Sequence, residues 1–407
     1  MDNTQFQFTS LMSLFKHIKP APPDPIFGVA IKYEASKHPH KQIFAVGVYR
    51  TEEGKPYVFP SVRKAEERIA NKHFKDYLPM TGHPQFVQSA KELLWGEYLP
   101  KIGDRIGSVQ TIAGTGGLSV VSMFAKKNLD FPTVMISDPA WPNYKCIFGD
   151  VGHHLSYYPW VKDGRLDLNG TLDSLKNAPD GSLCVMQACA HNPSGVDPNN
   201  SEWEEIFDMV NRKNHTIFFD FAYMGFASGN MDKDAEIVRK YALTGKQFFV
   251  SYSFSKCMGL YGERIGCLHA VCANPSEAKA LQTNFASVMR STISVAPQNG
   301  ALIAHEILSN PELKNQWVGE LKSITNRIID IRGKLCNKLE KLTSRDWSYL
   351  KDQKGMFGYT GLTKEQCDRL AEVEGVFITD NGRISVPALN NSNVDSVAKA
   401  IANVVRK

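Results

Sequence analysis

The sequence predicts an α/β protein: a large three-layer α/β/α domain around a mostly parallel sheet, with a smaller α+β domain. Between residues 57 and 327, short apolar runs at 109–112, 133–136, 183–188, 216–219 and 248–252 alternate with helical stretches. Alternation of this kind builds a parallel sheet, and runs that are apolar throughout are strands covered by helices on both faces. From Trp317 the apolar positions Trp317, Leu321, Ile324, Ile328, Ile331 and Leu335 follow a four-three spacing, which predicts one long amphipathic helix bridging the two domains. Beyond it, 356–360, 376–379 and 384–386 read as short strands, and Val394, Val397, Ile401 and Val404 as a closing helix capped by Asn393.

The chain opens on a polar and aromatic arm, residues 1–21, that runs into the stiff segment Pro20-Ala-Pro-Pro-Asp-Pro25. Asp24 and Pro25 are placed as N-cap and first-turn residue of a helix from residue 26 to about 37. We place the small domain at 22–56 and 328–407 and the large domain at 57–327.

With 407 residues, 43% hydrophobic and 22% charged, the chain can bury a sizeable core. The +5 balance, 47 basic against 42 acidic residues, is spread along the chain without a run of like charge. A nucleic-acid or membrane partner is therefore not expected, and small anionic metabolites are compatible. The eight cysteines form no Cys-x-x-Cys pair and no framework spacing, so neither zinc nor any other metal nor disulfides are expected. The opening residues carry Lys16, His17 and Lys19 but no arginine, which favours a cytoplasmic protein over one with a mitochondrial presequence.

In an open α/β sheet ligands bind beyond the carboxyl ends of the strands, and the polar motifs fall there. After the first run, Ala113-Gly-Thr-Gly-Gly-Leu118 precedes a helix over 119–129, so backbone amides and the Thr115 hydroxyl face a cleft that suits a phosphate. The next run ends in Ser137-Asp-Pro-Ala-Trp141, an indole able to stack on a flat ring or to plug the core. The third ends in Ala190-His-Asn192-Pro193-Ser-Gly195, whose Asn192 amide can donate to a ring oxygen. Asp220 closes the fourth, three residues before Tyr223. A carboxylate at a buried strand end needs a cation or a protonated nitrogen, unless it caps the following helix. After the fifth comes Ser253-Phe-Ser255-Lys256, with Arg264 eight residues beyond the lysine. Read singly, Lys256 is a solvated loop lysine; partly desolvated beside other cations, it is an amine able to attack a carbonyl while the serines and Arg264 hold a phosphate.

Taken together these segments resemble the aspartate aminotransferases, dimeric pyridoxal-phosphate enzymes of fold type I. The resemblance runs nearly end to end, through Val46-Gly-Val-Tyr-Arg50, Tyr77-Leu-Pro79, Ala113-Gly-Thr115-Gly, Trp141, Ala188-Cys-Ala-His-Asn192-Pro-Ser-Gly195, Phe219-Asp220-Phe-Ala-Tyr223, Ser253-Phe-Ser-Lys256, Gly355-Met-Phe-Gly358 and Gly382-Arg383-Ile. It implies that Lys256 bonds covalently to pyridoxal 5′-phosphate, that Asp220 pairs with the pyridine nitrogen, and that Tyr223 and Asn192 bind the ring hydroxyl. Gly114, Thr115, Ser253, Ser255 and Arg264 would surround the phosphate, joined by Tyr77 of a second copy, while Trp141 stacks on the ring. Arg383 would grip the substrate α-carboxylate, Arg290 from the partner its side-chain carboxylate, and Gly47 would close over it. The implied assembly is a homodimer with shared sites, contacted by the 1–21 arm.

The implied reaction is ping-pong transfer of an amino group between aspartate and 2-oxoglutarate, giving oxaloacetate and glutamate. Two rivals stand beside it: an aromatic or broad-specificity aminotransferase on the same scaffold, and a binding protein without catalysis. The sequence departs from the family at Ser294-Val295-Ala296-Pro297, where members usually have Ser-Asn-Pro-Pro, and at Tyr144, where a histidine often supports the aspartate.

Overall fold

The computed structural model describes residues 14–22 and 24–406. Its centre is a seven-stranded sheet of Ile106–Ile112 (β1), Val134–Asp138 (β2), Leu155–Pro159 (β3), Leu183–Gln187 (β4), Thr216–Phe221 (β5), Phe248–Ser253 (β6) and Ile265–Val271 (β7), in the order β1-β7-β6-β5-β4-β2-β3. The pairings β3-β2, β2-β4, β4-β5 and β5-β6 are parallel, and β7 lies antiparallel to both β6 and β1. Successive residues feed two cores on opposite faces: Ile217 and Phe219 pack into one, Phe218 into the other. This is why the strands read as unbroken apolar runs.

Three strands escape that pattern, and one is β1, where Ser108, Gln110 and Thr111 are polar yet buried. In β7, Gly266 and His269 interrupt the apolar residues, although both are buried. A Cβ on Gly266 would lie 2.7 Å from the Tyr252 carbonyl oxygen and 2.8 Å from Ala113, so only glycine fits there. The His269 imidazole is paired with the Ser108 hydroxyl at 2.8 Å. The edge strand β3 is only half-buried and shows no solid apolar run.

The helix expected at 119–129 begins six residues earlier and spans Ala113–Asn128. Its glycines serve close packing on β6 and on the end of β1 rather than a loop: a Cβ on Gly117 would fall 2.3 Å from Ser251 Oγ, and one on Gly116 2.6 Å from Ile112 Cγ1. Ala113 makes the turn off β1 with φ +57°.

The helix predicted after Asp24 spans Phe27–Ala35, and the Asp24 carboxylate accepts from the Ile26 and Phe27 amides. The long helix is Pro311–Thr343, with Trp317, Leu321, Ile324, Ile328, Ile331 and Leu335 all buried. Beyond it, Phe357–Tyr359 pairs antiparallel with Arg383–Ser385, while Gln42–Ile43 pairs parallel with Val376–Phe377. The chain before residue 56 is thus hydrogen-bonded to the chain after 328. In the closing helix Val394–Val405, Asn393 is not the side-chain cap: its Oδ1 turns back to accept from the Asn390 amide at 2.8 Å. The Asn390 carboxamide pins the turn that leads into the helix, accepting from the Ser392 and Asn393 amides while its Nδ2 donates to the Glu52 carbonyl. Asn390→Ala should therefore lower stability by about 1–2 kcal/mol in urea unfolding. An unchanged midpoint would remove that role.

Candidate active site

The sheet topology gathers the predicted residues at one edge. Strands β1, β2, β4, β5 and β6 run parallel and end there, and antiparallel β7 starts there, so Arg264 at its head joins the groups that follow the other strands. One cavity is lined by Gly114, Thr115, Trp141, Asn192, Asp220, Tyr223, Ser253, Ser255, Lys256 and Arg264. Every cofactor-contacting residue expected within one protomer is in this set.

Lys256 follows β6 directly, its ammonium 5.1 Å from the centre of the Tyr223 ring. Burial pushes its pKa below the ordinary lysine value; the Asp220 charge opposes this, while Arg264 and Arg383 add to it. Asp220 sits on β5, and burial raises its carboxyl pKa, against the lowering effects of a Tyr144 hydrogen bond and the Lys256 charge. The Tyr144 hydroxyl donates to Asp220 Oδ2 at 2.6 Å. Burial first and the Asp220 charge second hold the Tyr144 phenol well above its usual pKa, so it stays a proton donor to the carboxylate. Asp220 is therefore a strand residue with a buried donor, not a helix cap.

At the other end the N-terminus of Ala113–Asn128 presents Gly114 and Thr115 beside the Ser253-Phe-Ser255 turn. The Ser255 amide donates to Ser253 Oγ at 3.2 Å, and Arg264 Nη1 reaches Ser255 Oγ at 3.4 Å and the Tyr261 carbonyl at 3.0 Å. Hydroxyls, a guanidinium and free helix amides converge here, a donor set suited to a phosphate dianion.

Arg383, only 2% exposed, donates to Asn192 Oδ1 at 2.9 Å and to the Ala45 carbonyl at 2.6 Å, with its guanidinium 4.1 Å from the centre of the Phe357 ring. Its buried Nε has no hydrogen-bond partner among the described residues. Burial pushes its pKa down to about 10, against the Tyr223 and Asp24 charges. A desolvated arginine without a carboxylate is an anion site in waiting. Gly47 packs on the same ring: a Cβ there would lie 2.7 Å from Phe357 Cζ. Trp141 meets Tyr144 edge-on, with centroids 5.4 Å apart.

Tyr77 and Arg290 are not among the residues lining this cavity in one chain. Tyr77 is 84% exposed, and Arg290, in the last turn of Pro275–Thr292, is exposed and hydrogen-bonded to Ser294 Oγ. Two further cavity residues were not singled out from the sequence. Gln187 ends β4 and clamps Asn192, accepting from its amide at 2.7 Å and donating to its carbonyl at 2.9 Å. Tyr261 accepts from the Tyr49 amide at 3.2 Å. A polar residue closing an apolar run was the available signal for Gln187. Among the described residues no cluster of three or more His, Cys, Asp or Glu side chains could hold a metal, and no helix is long and apolar enough to cross a membrane.

A mixed α/β sheet that collects a desolvated lysine, a buried aspartate and an anion cradle at one edge defines an enzyme built around an amine nucleophile. The comparisons give the family: residues 39–401 match the one described as Aminotransferase class I and II, and this chain belongs to it. It is 42% identical to the mitochondrial aspartate aminotransferase of Schizosaccharomyces pombe, covering 93% of this chain and 88% of that one. To the cytoplasmic aspartate aminotransferase of Saccharomyces cerevisiae it is 39% identical, covering 97% of each. Among solved structures, an aromatic-amino-acid aminotransferase from Burkholderia pseudomallei, covalently bound to pyridoxal phosphate, superposes with a TM-score of 0.93 at 37% identity over 97% of this chain and 100% of that one. Mitochondrial and cytoplasmic relatives stand at similar identity, so family membership does not fix the expected cytoplasmic compartment.

Proposed function

We propose that this chain is a pyridoxal-phosphate-dependent aspartate aminotransferase, exchanging an amino group between aspartate and 2-oxoglutarate in two alternating half-reactions. The observation that carries the reading is the placement of Lys256 and Asp220 on one cavity that ends in a helix N-terminus flanked by Ser253, Ser255 and Arg264. The residues fit the cofactor. A buried carboxylate with a raised pKa suits a protonated ring nitrogen, and the converging donors suit a phosphate. When bound, pyridoxal phosphate supplies an electrophilic carbon for the amino group and a ring that withdraws electrons from the substrate Cα.

In this reading Lys256 would hold the cofactor covalently, and its amine, readily deprotonated in this setting, would take the proton from the substrate Cα. Asp220 keeps the ring nitrogen protonated, and Tyr144 keeps Asp220 ionised. Tyr223 and Asn192 would hold the ring hydroxyl, and Trp141 would lie against the ring. Arg383 binds the α-carboxylate through Nε and exchangeable Nη donors, with Gly47 closing over it. Domain boundaries at 56/57 and 327/328 make residues 22–56 and 328–407 the moving part. A homodimer brings in Tyr77 to the phosphate and Arg290 to the substrate side chain, and their exposure in one chain supports this; most of the 1–21 arm expected to contact the partner lies outside the described residues.

The test is direct. Purified protein with pyridoxal phosphate should form oxaloacetate from aspartate and 2-oxoglutarate, and aspartate alone should shift the visible absorption to shorter wavelength; a protein that does neither ends the reading. An aromatic or broad-specificity enzyme is the second reading, favoured by the aromatic aminotransferase fold match and by Val295-Ala296 after Arg290. Arg290→Ala decides between them. A fall in kcat/KM for aspartate of about 100-fold or more, with phenylalanine untouched, supports dicarboxylate selectivity, because one buried charged contact is worth about 2–5 kcal/mol. No selective loss supports the second reading.

A further inference from the structure

Tyr77 and Arg290 are 213 positions apart in the chain, yet the segments that carry them are fastened to a single buried side chain. Gln110, on β1 and 0% exposed, accepts from the His83 amide through Oε1 at 2.8 Å and donates from Nε2 to the Pro297 carbonyl at 2.7 Å. Its own amide donates to the Thr81 carbonyl at 3.0 Å. On one side the Pro79–Gly82 turn, two residues past Tyr77, closes through Gly82 N to Pro79 O at 2.8 Å. It rests so tightly on Gln110 that a Cβ on Gly82 would fall 2.1 Å from Gln110 Cβ. On the other side, Arg290 is bonded to Ser294 Oγ, and three residues on Pro297 is anchored. Between them lie a positive φ at Ser294 and a tight Val295-to-Ile293 backbone bond, which leave the segment little freedom.

The geometry points to Gln110 as a positioning residue that sets the Tyr77 and Arg290 segments in register, so that one protomer presents both side chains together to its partner's active site. This rests on the reading that a second copy of the chain receives them. A carboxamide is the side chain that can do this, because it offers an acceptor and a donor at once from a fixed plane. Without it, the His83 amide and the Pro297 carbonyl lose their partner and the two segments move independently.

Gln110→Met, close in length and without hydrogen bonds, is expected to raise KM for aspartate about tenfold with kcat changed less than about twofold, and to leave phenylalanine kinetics unaltered. Titration of the apoprotein with pyridoxal phosphate should show a severalfold weaker Kd through Tyr77. General destabilisation predicts no such split between substrates. Should Gln110→Met not fold, Gln110→Glu, which keeps an acceptor for His83, carries the same comparison.

Hybrid dimers place the effect. Lys256→Ala mixed with Arg290→Ala should regain one working site per dimer, and Lys256→Ala mixed with Gln110→Met should regain one with the native KM, since the lysine and the aligned segments then come from different chains. If the first hybrid recovers and the second does not, Gln110 acts on the active site of its own chain and the inference falls. It falls equally if Gln110→Met changes neither KM for aspartate nor cofactor Kd. If the first hybrid stays inactive, the shared-site reading itself fails and takes the inference with it.

Discussion

Lys256→Ala should lose transamination by at least about 10⁴-fold in kcat, a barrier increase of roughly 5.5 kcal/mol or more. Two functions disappear with one amine: the covalent hold on the cofactor and the base that moves the Cα proton. The second carries most of the loss, because the cavity offers no substitute. The phenols that line it, Tyr223 and Tyr261, are held by burial above their ordinary pKa, and the Asp220 carboxylate is occupied by its bond from Tyr144. None is a free base of intermediate strength. The fold should tolerate the change, since among the described residues the Lys256 ammonium makes no hydrogen bond or salt bridge, its carbonyl keeps the bond from the Gly259 amide, and Tyr223 and Ser255 still line the cavity. The expected signature is therefore a folded protein that binds pyridoxal phosphate, turns over no aspartate, and recovers partially with a small exogenous amine. Native rates in a verified variant would exclude Lys256 from the chemistry.

Much of this site was legible because chemistry and topology point the same way. A parallel sheet forces its strand ends to one edge, so Thr115, Trp141, Asn192, Asp220 and Lys256 could be grouped before any coordinate was known. What was hidden obeys a different physics. Strand β7 is disguised by Gly266, present because backbone approaches it from two sides, and by His269, whose burial is offset by Ser108. The Ala113–Leu118 stretch reads as a loop from its glycines, when helix-to-strand packing demands them. Asn393 does not serve as the side-chain cap because the turn before the helix, held by Asn390, directs its Oδ1 back to the Asn390 amide. Gln187 and Tyr261 act by holding other residues, a role that leaves only a faint mark on a single sequence.

Asp220→Asn is the sharper probe of how the cofactor is tuned. The substitution keeps shape and volume, and the Asn carbonyl oxygen can still accept from Tyr144, so folding should survive. What vanishes is the negative charge that stabilises a proton on the ring nitrogen. Breaking a buried pair of this kind costs about 3–5 kcal/mol, which predicts a fall in kcat of roughly 10²- to 10⁴-fold with little change in KM for aspartate. Tyr144→Phe should give a milder loss with a pH signature. The Tyr144 hydrogen bond lowers the pKa of Asp220 against the raising effect of burial, so its removal lets that pKa rise further. Since the ionised carboxylate is the working form, activity on the acid side then needs a higher pH, and the acid limb of the kcat/KM profile should move upward in Tyr144→Phe. An unmoved limb would mean that the phenol is only packing. An Asp220→Asn enzyme with native kcat would mean that the ring nitrogen finds its proton elsewhere, and the pairing at the centre of this site would have to be abandoned.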